Sequence, residues 1–510
     1  MLQDSDNKRV AKNSIMLYLR MLVTMVVGFY TSRVVLQVLG EEDFGVYGLV
    51  GGIVGMLAFL NTTMSGATSR FLTFELGKGD KAGLSSMFDS ALVVHIWIAV
   101  IVFIIAETAG LWFVNSKLVI PAERMVAANW VYQCAIISVM VSIIQVPYVA
   151  SIVAHEKMGV YAYIDIINVT MKLAIVFILV HSPWDKLIFY SVLMMVVTVI
   201  TGYIYRRYSV RHFEECRYTH SKSKQMSKEI MSFFGFNMFG NFGAIFNMQV
   251  VNILINNFFG LVYNAASSIA VTVSNVVSSF SSNTIMAFRP PVTKSYAARE
   301  LDKSEEFMLL GMQMSLFFFA LFAIPVIVEV KTLMRLWLEK VPDQSDVFCR
   351  LMIMSILFET VRRVCLISVH ATGKVKLASL STGILLTLNP LIVYLLFRTM
   401  HIVSLAYVSN VFINIVLSLI IMYLVKRLIP EFSLRRLVVC VVKMMLVIAA
   451  TMAIVYFSVR SLPANLLRML LSAAISTVLL SVGTYFFCLD RSKRQWVLSF
   501  VKKKFKRSQV

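Results

Sequence analysis

Fourteen apolar runs, each long enough to cross a bilayer, follow one another along this chain with mostly short polar breaks between them. They lie near residues 12–36, 45–66, 86–113, 125–150, 159–181 and 186–205, and, after a longer break, 229–256, 261–287, 306–330, 347–370, 376–397, 402–425, 437–459 and 463–488. A helix needs about 20 apolar residues to span the hydrocarbon core at ~1.5 Å per residue. Hydrocarbon offers no water to backbone N–H and C=O groups, so a spanning segment must be a helix or part of a closed barrel. Runs of this length without alternation choose the helix. The expected fold is an all-α polytopic membrane protein with about 14 transmembrane helices. With 58% of residues hydrophobic and 15% charged, the composition lies far from that of a soluble domain.

Charge then sets the orientation. With the N-terminus cytoplasmic, inner loops and tails hold 32 of the 48 Lys and Arg, against 10 on the outer side. The positive-inside rule selects that arrangement, with both termini cytoplasmic. Arg206 to Lys228 carries seven basic residues and the tail RSKRQWVLSFVKKKFKRSQV eight. Orientation and attraction to an anionic leaflet account for the net charge of +21, so no nucleic-acid partner is expected. MLQDSDNKRVAKN is polar, precedes a span too long for a signal-peptide core, and reads as retained. The six cysteines form no CxxC pair, and His155-Glu156 lacks the second histidine of a zincin helix, so no metal or cofactor is expected. Neither is an enzyme: the longest outer stretch, KTLMRLWLEKVPDQSD, has no obvious acid/base pair.

Spans 1 to 6 and 7 to 12 read as parallel repeats. VLGEEDFGVYGLVGG in the first half corresponds to NFFGLVYNAASSIA in the second, and SGATSRFLTFELGKGDKA corresponds to NTIMAFRPPVTKSYAARELDK. The expected organisation is an N-terminal six-helix lobe (1–206), a basic linker (207–228) and a C-terminal six-helix lobe (229–430). Two extra peripheral helices (431–488), carrying Lys443 and Arg468, and a basic tail (489–510) follow.

Several spans are polar on one side. Asn13, Arg20, Thr24 and Thr31 recur at helical spacing on one face of the first. An arginine there costs about 2.5–3.5 kcal/mol on insertion scales, so it should face protein or a wet cavity, whereas Arg33 reads as a cation snorkelling to the interface. Tyr161, Asp165, Asn168 and Lys172 share a second face; Asn237, Asn241 and Asn252 a third; Asn264, Ser268, Asn275, Ser279, Ser282 and Arg289 a fourth. Helix packing explains the glycines of GLVGGIVG and is the alternative for the serine stripe. Glu359 with Arg362 and Arg363 at i+3 and i+4 reads either as a self-neutralising cluster or as a functional one. Counting Arg70 and Arg289 at the inner mouths, span charges number eight positive against five negative, which favours an anionic cargo. Lys172, Asn241 and Asn275 are substrate-binding candidates, and Asp165 and Glu359 are candidates for coupling to H+ or Na+.

Residues 7–80, from NKRVAKNSIMLYLR to FELGKGD, and 287–300, AFRPPVTKSYAARE, resemble the Wzx-like polysaccharide flippases for O-antigen and capsule. These belong to the multidrug/oligosaccharidyl-lipid/polysaccharide exporter superfamily, and the likeness is to its Bacteroides-type members. The resemblance implies two MATE-like lobes around a cavity that opens alternately to either side, and a polyprenyl-diphosphate-linked oligosaccharide as substrate. It implies that Arg20, Arg70 and Arg289 contact diphosphate or sugar acid. Relatives often hold an uncharged residue where this chain has Arg289 before Pro290. It further implies the bacterial inner membrane as location, with membrane lipids, a polysaccharide polymerase and chain-length proteins as partners. A MATE-type cation-coupled drug or metabolite antiporter and a peptidoglycan lipid-precursor flippase are the rivals.

Overall fold

The computed structural model describes residues 4–55, 59–117, 120–219, 221, 223–337, 341–488 and 494. The helices are α1 (Asp4–Gly55), α2 (Phe59–Lys78), α3 (Lys81–Ile105), α4 (Leu111–Lys117), α5 (Met125–Ala154), α6 (Met158–Val180), α7 (Lys186–His212) and α8 (Lys224–Phe259). After them come α9 (Leu261–Ala297), α10 (Leu301–Trp337), α11 (Ser345–Thr372), α12 (Lys376–Met400), α13 (Leu405–Leu428), α14 (Leu434–Val459) and α15 (Leu466–Gly483). Among the described residues ten helical stretches are long and apolar enough to cross a membrane. The other spans read from the sequence fall on α1 with α2, and on α9 and α11, which carry the serine stripe and the Glu359 cluster. The chain is a multi-pass, all-helical membrane protein.

Local chemistry fixes the turns. Gly40 (φ +80) breaks α1, and Gly260 (φ +90) separates α8 from α9; both occupy the left-handed region that glycine enters without a Cβ clash. These are the Leu-Gly and Phe-Gly links that the repeat pairs. The other two links turn through Gly79 (φ +76) and Arg299 (φ +62), again at matching places. Asp80 caps α3 through the Gly83 amide at 2.9 Å, and Asp185 caps α7 through those of Leu187 and Ile188. A π-turn at Ala106–Gly110 leaves the Ala106 carbonyl to accept from the Tyr132 hydroxyl at 2.7 Å, and that hydroxyl leaves no room for a Cβ at Gly110.

Contacts divide the chain into two compact units. The first is the chain up to Asn241 with Arg289–Glu300; the second is Phe242–Phe288 with the chain from Leu301 onward. In the first, α1 packs on α5 and α6, and α5 packs on α2, α3 and α7. Its core gathers Val46, Val50, Tyr132, Ile136 and Leu179. In the second, α11 packs on α10 and α13 over Val273, Phe319, Phe348, Phe397 and Tyr407. In lipid such cores cohere through close packing and hydrogen bonds rather than exclusion from water.

Charged groups fasten the helix ends of the first unit. Arg124 meets Asp43 through Nε at 2.6 Å and again through its terminal nitrogen, and reaches Asp185 at 2.7 Å. Asp89, fully buried on α3, accepts at one oxygen from the amides and hydroxyls of Thr219 and Ser221 at 2.9–3.2 Å. That carboxylate straps the basic linker to α3.

The two C-terminal helices pack on α10. Arg468 of α15 donates to Glu329 of α10 at 2.6 Å, and Glu329 is 1% exposed where α10 leaves helical geometry four residues after Pro325. At the other end of α10, Glu305 accepts from the Ser433 amide at 2.7 Å, and Gln313 donates to the Cys488 carbonyl at 2.9 Å. Both ends of α10 are thus tied to the last two helices.

Candidate functional site

In the first unit the polar face of α1 is turned to α6. Arg20 donates to Asp165 at 3.0 Å and to the Tyr161 hydroxyl at 3.1 Å, and its guanidinium carbon lies 4.9 Å from the Tyr161 ring centroid. Tyr161 and Asp165 are one helical turn apart, so a single guanidinium reaches both. Asn13, seven residues earlier on the same face, donates to the Glu156 carbonyl at 3.1 Å. Thr24 and Thr31 instead return their hydroxyls to their own helix, to the Arg20 and Val27 carbonyls. The insertion cost of Arg20 is therefore offset within the chain, by a carboxylate on a neighbouring helix. Lys172, half-buried, shares the face of Asp165 but stands two turns away; Asn168 lies between them and accepts from Thr201 at 3.4 Å. Arg33 lies where side chains are outside the described residues.

Arg70 and Arg289 belong to the same unit. Arg70 is 7% exposed, and its guanidinium lies over three rings: Phe71 at 4.5 Å, Phe74 at 4.9 Å and Phe233 at 5.7 Å. Cation–π contacts of this kind contribute about 0.5–2 kcal/mol each. Glu229 and Glu75 supply its opposing charge. Arg289 places a terminal nitrogen beside Gly66, 3.5 Å from where a Cβ would stand. Gly66 and Arg70 sit one turn apart on α2, so the structure gathers these two cations along one face of that helix. The backbone there is close-packed as well: a Cβ at Gly77 would lie 2.6 Å from the Lys294 carbonyl oxygen. Asn241 is exposed at the end of this unit's share of α8, and Asn237 donates to the Phe233 carbonyl at 2.8 Å.

The second unit contains a polar cavity of about 260 Å3 between α8, α9, α11, α12 and α13, with Asn275 and Glu359 in its wall. α9 carries two adjacent polar faces, the stripe read from the sequence (Ser268, Asn275, Ser282) and a second one residue earlier at each position (Ser267, Ser274, Ser281). Ser267, Ser274 and Ser281 are buried; Ser267 donates to Asn252 at 3.1 Å and Ser281 accepts from Thr360 at 3.4 Å. Ser268, Thr272 and Asn275 are exposed. Asn264 lies outside the described side chains. The Glu359 cluster also divides: Glu359 faces Arg362 at 3.7 Å, whereas Arg363 donates to Ser282 at 2.9 Å.

Sequence reading missed the wall opposite. Asn389, fully buried on α12, donates to Asn247 at 2.9 Å and accepts from Ser409 at 2.5 Å, and Asn414 donates to Ser355 at 3.0 Å. Single amides in apolar runs read as packing residues. The available signals were Asn410 and Asn414 at i and i+4, and an asparagine preceding Pro390 in mid-span.

The fold is shared with transporters of known structure. A MATE in the bent conformation superimposes with a TM-score of 0.72 at 12% identity, over 83% of this chain and 96% of that one. An outward-facing multidrug resistance MATE family transporter of the MOP superfamily gives 0.71 at 13%, over 83% and 97%. A MOP superfamily transporter from Pyrococcus furiosus, described as having reversed binding-pocket polarity that suggests a different function, gives 0.66 at 14%, over 83% and 96%. No curated protein matches the chain by sequence. Residues 10–286 match the family described as polysaccharide biosynthesis protein, and they include most of α1, the links at Gly40, Gly79 and Gly260 and the Arg20–Asp165 pair, whereas Arg289 and the link at Arg299 lie beyond them. The chain belongs to that polysaccharide biosynthesis family, a membrane transporter family of the MOP superfamily.

Proposed function

We propose that this protein is a flippase that carries a polyprenyl-diphosphate-linked oligosaccharide across the bacterial inner membrane, for lipopolysaccharide O-antigen or capsule synthesis. The observation that carries the reading is the family match over residues 10–286; the MATE-like fold supports transport over catalysis. Arg70 of α2 and Arg289 of α9, whose guanidinium lies beside Gly66 of α2, are the residues assigned to the diphosphate, because guanidinium groups bind phosphate oxygens through paired, charge-assisted bonds. Arg20 takes a conditional part. Its charge is offset by Asp165, so protonation of Asp165 would free the guanidinium and link substrate binding to a proton; Na+ at Asp165 would act in the same sense. Lys172 and Asn241 are assigned to the sugar. Both termini lie in the cytoplasm in this reading, and the polymerase and chain-length proteins act on the product.

No covalent step is required. The headgroup shifts the balance between inward and outward states only by its differential affinity for them, so net flux needs a gradient or consumption of the product. Deleting the protein should cause complete lipid-linked oligosaccharide to accumulate while surface glycan falls. Arg70→Ala or Arg289→Ala, at normal protein level, should lower surface glycan at least ~10-fold, since each charged hydrogen bond contributes about 1.5–3 kcal/mol. Unchanged glycan in the deletion strain would remove the assignment, and efflux of a cationic dye by the purified protein would favour the antiporter.

A further inference from the structure

The last turns of α7 carry cations that the fold leaves facing outward. Arg207 and Arg211 are exposed, one turn apart, in YIYRRYSVRH, a stretch without an acid. Arg207 donates to the Tyr203 hydroxyl at 3.4 Å, and neither arginine makes an ion pair among the described residues. The acids that follow are engaged elsewhere: Glu214 faces Lys81 at 3.8 Å, and Glu215 meets His155 at 2.6 Å. Arg206, also exposed, reaches the Tyr148 hydroxyl. By contrast, Lys78, Lys426 and Arg436, at the ends of α2, α13 and α14, are held within the chain by Glu75, by the Pro430 and Phe432 carbonyls and by Glu305.

Depth and direction decide what these guanidinium groups meet. Val196, Val199, Ile200 and Tyr203 are exposed, and with Arg207 and Arg211 they fall within an arc of about 120° at ~100° per residue. One face of α7 thus passes from aliphatic to aromatic to cationic. Asp185 caps the other end of the helix, next to the exposed Trp184. From Asp185 to Arg207 the helix rises about 33 Å at ~1.5 Å per residue, just beyond a hydrocarbon core of about 30 Å. Trp184 and Tyr203 then stand at the two interfaces, where such aromatics gather, and the two guanidinium groups stand among the lipid headgroups.

We propose that this face of α7 binds an anionic glycerophospholipid: the phosphate lies between Arg207 and Arg211, and one acyl chain runs along Tyr203, Ile200, Val199 and Val196. Residues one turn apart on a helix stand about 5–6 Å from each other at Cβ, so two guanidinium groups can share one phosphate through paired, charge-assisted bonds. A zwitterionic lipid offers the same phosphate but brings an ammonium group that both arginines repel. In the orientation proposed above, the lipid belongs to the cytoplasmic leaflet. It fastens the end of α7 just before Phe213, where the chain turns toward the strap held by Asp89. The site shares no residue with those assigned to the transported headgroup, so it stands or falls apart from the flippase reading.

The test is native mass spectrometry of the full-length protein with dioleoyl phosphatidylglycerol or dioleoyl phosphatidylcholine added to the micelles. Wild type should bind phosphatidylglycerol about 10-fold more tightly than phosphatidylcholine. Arg207→Ala/Arg211→Ala should remove that preference. Arg217→Ala/Lys224→Ala takes away equal charge at exposed linker positions and should change it by less than ~2-fold. Arg211→Ala alone, exposed and with no ion pair to lose, should weaken phosphatidylglycerol about 3-fold, and it decides the matter if the double variant does not fold. No preference in wild type, or equal losses in the two charge-matched variants, overturns the site and leaves diffuse attraction to an anionic leaflet. Displacement of phosphatidylglycerol by equimolar polyprenyl diphosphate would give this face to the transported lipid and overturns the proposal too.

Discussion

Arg20 in the first unit and Arg362 in the second are both arginines inside the membrane region, and the fold treats them differently. Arg20 meets a carboxylate 145 residues away on another helix at 3.0 Å, with a tyrosine hydroxyl and ring completing its surroundings. Arg362 meets Glu359 one turn back on its own helix at 3.7 Å. The first pair joins α1 to α6, so it cannot open without loosening two helices. The second lies within α11 and joins no two helices. A pair between helices therefore couples them, and a pair within one helix does not.

If closure sets the cost of breaking a pair, the second unit's own closed pair should be the most sensitive of all. Arg468→Ala leaves Glu329, 1% exposed, without its cation, and should lower unfolding free energy by about 3–5 kcal/mol in detergent. A loss smaller than that from Asp165→Ala would break the ranking. Asp165→Ala comes next. Its pair is 17% and 24% exposed, so a loss of ~1–3 kcal/mol is expected, and a double-mutant cycle with Arg20→Met should return a coupling of similar size. Near-zero coupling would mean that the two side chains are only neighbours. Glu359→Gln should move stability by no more than ~1 kcal/mol, because that carboxylate is 36% exposed and its partner distant. A larger fall would make the cluster a structural lock after all.

The smallest effect lies at the Arg124 cluster, outside the spans. Partial burial opposes ionisation of Asp185, but the Ile188 amide, the Arg124 guanidinium and the Leu187 amide outweigh it, so the carboxyl titrates below its ordinary 3.8. A depressed folded value means that its stabilisation is present above the unfolded value and is lost as pH falls through the folded one. Asp185→Asn should cost only a few tenths of a kcal/mol at neutral pH, given a side chain 34% exposed. Wild type and variant should converge below about pH 4 in melting experiments; a gap that widens with acid would contradict the assignment.

What the sequence made readable was each helix taken singly. The face holding Asn13 and Arg20, and the one holding Tyr161 and Asp165, both follow from the 3.6-residue period, and Gly40 and Gly260 from the turns they serve. What it hid was which faces meet. Nothing local in α1 says that Asp165 of α6 rather than a substrate answers Arg20, because adjacency of helices is decided by packing over the whole unit. Arg468 shows the same limit. It reads only as one of few polar residues in the last two helices, and Glu329 only as one of the acids in the spans, until the fold brings them to 2.6 Å. The amide wall was hardest to see because one asparagine in an apolar helix is unremarkable; only Asn247, Asn389 and Ser409 together make a site wall.

The decisive measurement is sidedness. Proteoliposomes holding the purified protein and a fluorescent polyprenyl-diphosphate oligosaccharide would be challenged with a glycosidase added outside. The flippase reading expects the trimmed fraction to rise from about half, the outer-leaflet share, toward completion, and to stay near half with Arg70→Ala/Arg289→Ala. Trimming that stops at the outer leaflet in the wild type, in vesicles where the protein is folded, would contradict it.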